Sequence, residues 1–123
     1  MPGARGDVEL QAGEHGAVRL IYTNRAIRDA ELALGRGIIK VLLAARDSDL
    51  SVGDVARLLQ IGMEYARRDG QRGGRQVTEG EAFEVMDQAG FGPTAAAVFE
   101  GLSAVLSYDG QDEEGNLTAP TGS

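Results

Sequence analysis

The chain has 123 residues and a mass of 12.9 kDa, which is enough for one domain and too little for two. It contains no cysteine, which excludes disulfides, thiolate metal sites and a cysteine nucleophile. The single histidine, His15, disfavours a multi-histidine metal site and a conventional Ser-His-Asp triad. We therefore predict a protein that is not an enzyme, with no catalytic, cofactor-binding or metal-binding residues.

The charge balance is acidic and uneven along the chain. Twelve Lys and Arg residues against nineteen Asp and Glu give a formal net charge of −7. Residues 107–123 hold four of the acids and no base, so they contribute −4 and leave −3 for residues 1–106. A protein that binds nucleic acid through its phosphates presents a basic surface, and this composition provides no net one.

No apolar run approaches the roughly 18 residues that a membrane span needs. The N-terminal residues also lack the apolar segment that is typical of a signal peptide. We therefore expect a soluble, intracellular protein. Residues 109–123 are acidic, polar and small, a composition that predicts a disordered tail.

Two short alternating patterns near the N-terminus predict a β-hairpin. Residues 13–16, Gly-Glu-His-Gly, separate the patterns as a turn, in which His15 is interpreted as a solvated residue rather than a ligand or a pH switch. An isolated hairpin is marginally stable in water, so its apolar face must pack on helices. That face consists of Val8, Leu10, Ala12, Val18, Leu20 and Tyr22.

The first two helices are predicted between residues 23 and 46. Thr23-Asn24 stands where an N-cap is expected, and Gly35 is a natural C-terminal stop. The densely apolar run 38–43 predicts a short helix, although a buried strand is compatible with the same pattern.

Three more helices are predicted from their caps. Ser51 with Asp54 resembles a capping arrangement ahead of a long amphipathic helix, and Thr78 with Glu81 forms a capping box. Pro93 is placed at the first position of the last helix. On these helices, the residues predicted to lie in the hydrophobic core of the domain are Leu59, Met63, Phe83, Val85, Phe99 and Leu102.

Together these patterns predict one α+β, mainly α, domain over residues 1–108. Its N-terminal β-hairpin packs on four or five helices, and the disordered acidic tail follows at 109–123.

Four arginines between two helices are the candidate partner-binding residues: Arg67, Arg68, Arg72 and Arg75. Arginines suit an acidic partner or a nucleic-acid backbone, and Asp69 is the only acid among them. The alternative is a solvated, flexible loop, because glycines surround these residues.

Other motifs are weaker. The glycine-rich stretches at 35–37 and 70–74 lack phosphate-loop spacing, and Asp47 with Asp49 lacks the glycine and glutamate of a calcium loop. Glu31 follows Arg28 by three residues, which predicts an ion pair on the helix surface, with a latch onto the hairpin or a partner as the alternative.

The order of elements and several short motifs resemble the phage tail assembly chaperones, in the branch found in gene transfer agents and related siphophages. The resemblance covers roughly residues 6–107, and the arginine-rich loop at 67–75 and the acidic tail depart from it. The motifs are Thr23-Asn24-Arg25-Ala26-Ile27, Ala30-Glu31, Leu34-Gly35, Val55-Ala56-Arg57-Leu58-Leu59, Gly62, Thr78-Glu79-Gly80-Glu81 and Val85-Met86-Asp87 before Gly90.

The resemblance implies a non-catalytic role in the host cytoplasm. Such chaperones coat the tape-measure protein, keep it soluble, and give way to tail-tube subunits. Self-association and a longer product made by ribosomal frameshifting are further expectations. A small helical DNA-binding regulator and a structural tail protein are the alternative hypotheses, the second requiring more strand than these patterns predict.

Overall fold

The computed structural model describes residues 6–70 and 73–108, and the predicted tail at 109–123 lies outside them. The described residues form a hairpin followed by five helices, which confirms the predicted α+β, mainly α class. The elements are β1 (Asp7–Gln11), a 3-10 turn (Gly13–His15), β2 (Ala17–Ile21), α1 (Asn24–Leu34), α2 (Ile38–Arg46), α3 (Val52–Asp69), α4 (Glu79–Ala89) and α5 (Phe91–Ser107).

The hairpin packs on α3 and α5 through the face that the alternation predicted. Its strands are antiparallel, with Val8 opposite Leu20 and Leu10 opposite Val18. Leu10 and Leu20 are buried, while the intervening Glu9 and Arg19 point to solvent. The apolar side chains at every second position therefore form the cover of one side of the helical core.

Tyr22, directly after β2, occupies a slot between α3 and α5. Its side chain is fully buried, and its hydroxyl donates a hydrogen bond of 2.8 Å to the backbone carbonyl of Leu58. The slot exists because both helices have a glycine there. A Cβ atom at Gly62 would lie 2.5 Å from the Tyr22 hydroxyl oxygen, and one at Gly101 would lie 2.6 Å from the ring.

The predicted helix caps are confirmed. The side-chain oxygen of Thr23 accepts from the backbone N–H of Ala26 at 3.1 Å, and that of Ser51 accepts from Asp54 at 3.0 Å. Thr78 and Glu81 bond reciprocally, as a capping box requires. These bonds satisfy backbone N–H groups that have no partner within the helix.

For two helices the structure decides or corrects what the sequence predicted. The apolar run 38–43 lies in a helix, not a strand. The last helix begins at Phe91, two residues before Pro93, so placing Pro93 at its first position was wrong. Gly90 is the N-cap, and Pro93 is still tolerated because the first backbone N–H groups of a helix have no helical acceptor.

Half of the predicted core residues are fully enclosed. Leu59, Val85 and Leu102 are buried. Met63 and Phe83 are partly buried and pack against this core, whereas Phe99 is partly buried without belonging to it, so the prediction was wrong for Phe99. Met63 and Phe99 each line an open hollow.

Within the described ranges, no single helix is long and apolar enough to cross a membrane. The helices α4 and α5 meet that criterion only as a pair, which is bent by 114°.

Replacing either slot glycine should destabilise the fold. Gly62→Ala and Gly101→Ala place a methyl group against Tyr22, and we expect each to lower the free energy of unfolding by about 1–3 kcal/mol. Gly53→Ala is the matched control, since it also lies in a helix but its nearest neighbour would be 3.9 Å away. Urea titrations followed by circular dichroism measure all three, and equal stabilities would contradict the slot.

A pair of leucines tests the placement of α3 in the core. Leu59→Ala removes a fully buried side chain and should lower the free energy of unfolding by about 2–5 kcal/mol. Leu32→Ala removes a side chain that is 75% exposed and should change it by less than about 0.5 kcal/mol. Thermal and urea unfolding give both values, and a loss below about 0.5 kcal/mol for Leu59→Ala would mean that α3 is not central.

Candidate functional site

The helix α2 leaves large apolar side chains in solvent. Its core side carries Ile38 and Val41, which are buried. Ile39 and Leu43, which are one turn apart on another side, are 60% and 45% exposed. A helix that is apolar on several sides must either be enclosed or expose one of them, and α2, which packs on α5 and α1, exposes the side of Ile39 and Leu43.

An open hollow lies between the end of α2 and the start of α5. It has a volume of about 460 Å³, and among the described residues that line it Arg46 alone is charged. Phe91, at its edge, is 43% exposed. The remaining lining residues are small or apolar: Ala45, Ser48, Leu50, Gly92, Ala95, Ala96 and Phe99.

The exposed side of α2 leads into this hollow. Ile39, Leu43 and Arg46 follow one another at spacings of four and three residues, which places them along the same side of the helix. We call Ile39, Leu43 and the residues lining the hollow the α2–α5 surface. Sequence reasoning counted residues 38–43 as one apolar helix and did not single out Phe91. The sequence signal for an exposed apolar side was that the run 38–43 lacks a polar side.

Polar contacts hold the start of α2 in place. A carboxylate oxygen of Glu31 accepts a hydrogen bond of 2.8 Å from the backbone N–H of Ile38, the first residue of α2. The expected ion pair of Glu31 with Arg28 is therefore wrong, because Arg28 instead contacts Asp29 at 3.5 Å. Glu31 is the side-chain cap of the next helix, a role that Gly37 cannot fill for lack of a side chain.

Glu64 organises the predicted arginine cluster. Its carboxylate accepts bonds of 2.6 Å from Arg67 and 2.8 Å from Arg68, and a further bond of 2.9 Å from the backbone N–H of Val77. The hydrogen bonds from Arg67, Val77 and Arg68 lower the pKa of Glu64 to about 2. Two of the four candidate arginines thus share one acid that lies a turn earlier in α3.

The other two candidate arginines differ. Arg75 lies 3.5 Å from Glu81 and is largely exposed, whereas Arg72 lies outside the described residues. Counting only Asp69 as the local acid therefore overestimated the positive charge of the cluster, because Glu64 and Glu81 contribute from α3 and α4. Binding of a partner by these arginines remains a prediction.

A polar hollow of about 380 Å³ lies beside Glu64, between α1 and α3. At its edge the Tyr65 hydroxyl donates a 2.6 Å hydrogen bond to Asp29, and the Arg68 guanidinium stacks 4.8 Å from the Tyr65 ring centre. Partial burial and the bond to Asp29 raise the pKa of Tyr65. His15, by contrast, lies exposed in the turn of the hairpin.

Within residues 6–70 and 73–108, no group of three or more His, Cys, Asp or Glu side chains is placed to hold a metal ion. Comparisons with protein-family models, with curated proteins and with solved structures find no match to this chain. The α2–α5 surface is therefore judged on its own geometry, and we take it as the candidate functional site.

Removing the Glu64 carboxylate should loosen the segment after α3. Glu64→Gln weakens its bonds to two arginines and to Val77, so we expect the free energy of unfolding at neutral pH to fall by about 1–3 kcal/mol. Glu84→Gln, at an exposed position of α4, is the control and should change it by less than about 0.5 kcal/mol.

The Glu64→Gln variant and the unchanged protein should also differ in how their stability depends on pH. Because folding lowers the Glu64 pKa from 4.5 to about 2, its contribution to stability is fully present above pH 4.5 and is lost as the pH falls towards 2. Urea unfolding across this range should show a smaller pH dependence for Glu64→Gln than for the unchanged protein. Identical pH profiles would contradict a Glu64 carboxylate that is bonded in the folded state.

Proposed function

We propose that this chain is a non-catalytic tail assembly chaperone that binds a tape-measure protein through the α2–α5 surface. The observation that carries the proposal is the exposure of Ile39 and Leu43 beside the hollow that contains Phe91. In this role the chain covers an apolar stripe of the tape-measure protein in the host cytoplasm. It then gives way to tail-tube subunits as the tube polymerises.

The shape of the α2–α5 surface suits an amphipathic helix. Ile39 and Leu43 stand about 6 Å apart along the axis of α2, at 1.5 Å per residue. The hollow beside them has room for a large apolar side chain of a partner. An amphipathic helix presents such side chains at spacings of three and four residues, and it is held in a groove by burial of its apolar side.

The net charge of the chain also suits this role. A long helical protein with exposed apolar stripes aggregates unless the stripes are covered. With a net charge of −7, several bound copies repel one another, which keeps the coated complex dispersed.

The alternative hypotheses have less support. A DNA-binding regulator needs a basic surface, whereas the net charge is −7 and, within the predicted arginine cluster, Arg67 and Arg68 share Glu64 and Arg75 lies beside Glu81. A structural tail protein needs extensive strand, and the described residues contain one hairpin with two strands of five residues each.

A co-purification experiment tests the proposal. The tagged chain is expressed from its native gene neighbourhood, and we expect it to recover a very long, helix-rich protein. A longer product that shares this N-terminus would be recovered if frameshifting occurs. The double variant Ile39→Gln/Leu43→Gln should lose the long protein, because two apolar contacts become polar without a change of charge.

Leu32→Gln is the matched control, since it changes an apolar side chain that is 75% exposed on α1, outside the α2–α5 surface. It should retain the long protein, and circular dichroism checks that all variants fold. Recovery of the long protein by the double variant and the control alike would remove the α2–α5 surface from the proposal. Recovery of the chain alone, with salt-sensitive retention of DNA, would favour the regulator instead.

A further inference from the structure

The helix α2 carries charge of the opposite sign to the net charge of the chain. Among the five helices of the described residues, α2 alone carries basic residues, Lys40 and Arg46, and no acidic one. By contrast, α4 carries four acids and no base. The apolar strip of α2 is therefore flanked by Lys40 and Arg46 in a protein whose net charge is −7, and the exposed acids Asp47 and Asp49 follow only after the helix has ended.

These two positive charges are available to a partner. Lys40 is exposed next to Ile39, and it forms no ion pair within the part of the chain that the structure describes. Arg46 lies 3.5 Å from Asp47, but both side chains are about two-thirds exposed, so their attraction is weak. Arg36, just before α2, differs because its guanidinium is paired with Asp54.

We propose that the partner helix of the α2–α5 surface carries acidic side chains along the borders of its apolar stripe. This inference rests on the proposed function and adds the chemistry of the partner. Carboxylates on such a helix would face Lys40 and Arg46 while its apolar side chains cover Ile39 and Leu43. An acidic helix is repelled by most of this acidic protein, so the basic border of α2 selects both the docking site and the orientation.

A second copy of the chain is a poorer occupant. The exposed acids Glu84 and Asp87 of α4 would complement Lys40 and Arg46 in charge. However, none of the large apolar side chains exposed in the described residues belongs to α4, so this face would leave Ile39 and Leu43 uncovered. A separate amphipathic helix satisfies both requirements, apolar and electrostatic.

Two synthetic peptides of about 18 residues, roughly 27 Å long as helices, provide the test. Both carry the same leucine stripe, bordered by glutamates in one and by lysines in the other. Fluorescence anisotropy against the full chain should show about tenfold tighter binding of the glutamate peptide at low salt. The difference should shrink at about 0.5 M salt, where charges are screened within a few ångströms.

Variants of the chain show which residues cause the difference in binding between the two peptides. Lys40→Glu should weaken binding of the glutamate peptide by about three- to tenfold, and Lys40→Gln by less, because the first reverses the charge and the second removes it. Arg25→Glu, at an exposed position of α1, changes the net charge as much as Lys40→Glu and should leave binding nearly unchanged. Ile39→Gln/Leu43→Gln should weaken both peptides.

The outcomes separate the two proposals. Equal binding of both peptides, with loss in Ile39→Gln/Leu43→Gln, would overturn the acidic border and leave the chaperone proposal intact. Binding of neither peptide would overturn the acidic border, and co-purification of the long protein would still decide the function. Self-association in light scattering that Lys40→Glu abolishes, without peptide binding, would make a second copy the occupant.

Discussion

The placement of Tyr22 between α3 and α5 is the constraint on which the rest of the structure depends. Gly62 and Gly101 leave the space that the Tyr22 ring fills, and the bond to the Leu58 carbonyl satisfies the hydroxyl inside the core. Because Tyr22 follows β2 directly and Thr23 caps α1, one short segment joins the hairpin, the two longest helices and the start of the next helix. A change at Tyr22 therefore affects the hairpin, α3 and α5 together.

The position of α2 follows from this arrangement. The hairpin covers one side of the α3–α5 pair, and α2 packs beside α5 through Ile38 and Val41. Glu31 holds its first backbone N–H, and the pairing of Arg36 with Asp54 ties the preceding turn to α3. An apolar helix is thus held at its first residue while another of its sides remains in solvent.

Ion pairs within the domain determine which basic residues are matched by an acid. Glu64 draws Arg67 and Arg68 onto α3 and also holds the backbone at Val77, so the residues before α4 are tied to α3 through an ionic network. Arg67, Arg68 and Arg75 lie beside acids of the domain, whereas Lys40 on α2 has no ion pair among the described residues. The two regions therefore differ: the Glu64 network ties α3 to the residues before α4, and α2 presents apolar and positive groups together.

The sequence by itself determined the local features. The caps at Thr23, Ser51 and Thr78 were predictable because donor and acceptor lie within three residues, and the hairpin was predictable because its alternation has a period of two. Tertiary structure alone decided which apolar residues reach solvent, since the exposure of Ile39 and Leu43 depends on how many neighbours pack on α2. It also decided the role of Glu31, which caps the next helix, and the glycine slot of Tyr22, because these contacts join residues that are distant in the chain or belong to different elements. Local bonds can be recognised from residue spacing, whereas burial requires knowing where every other element lies.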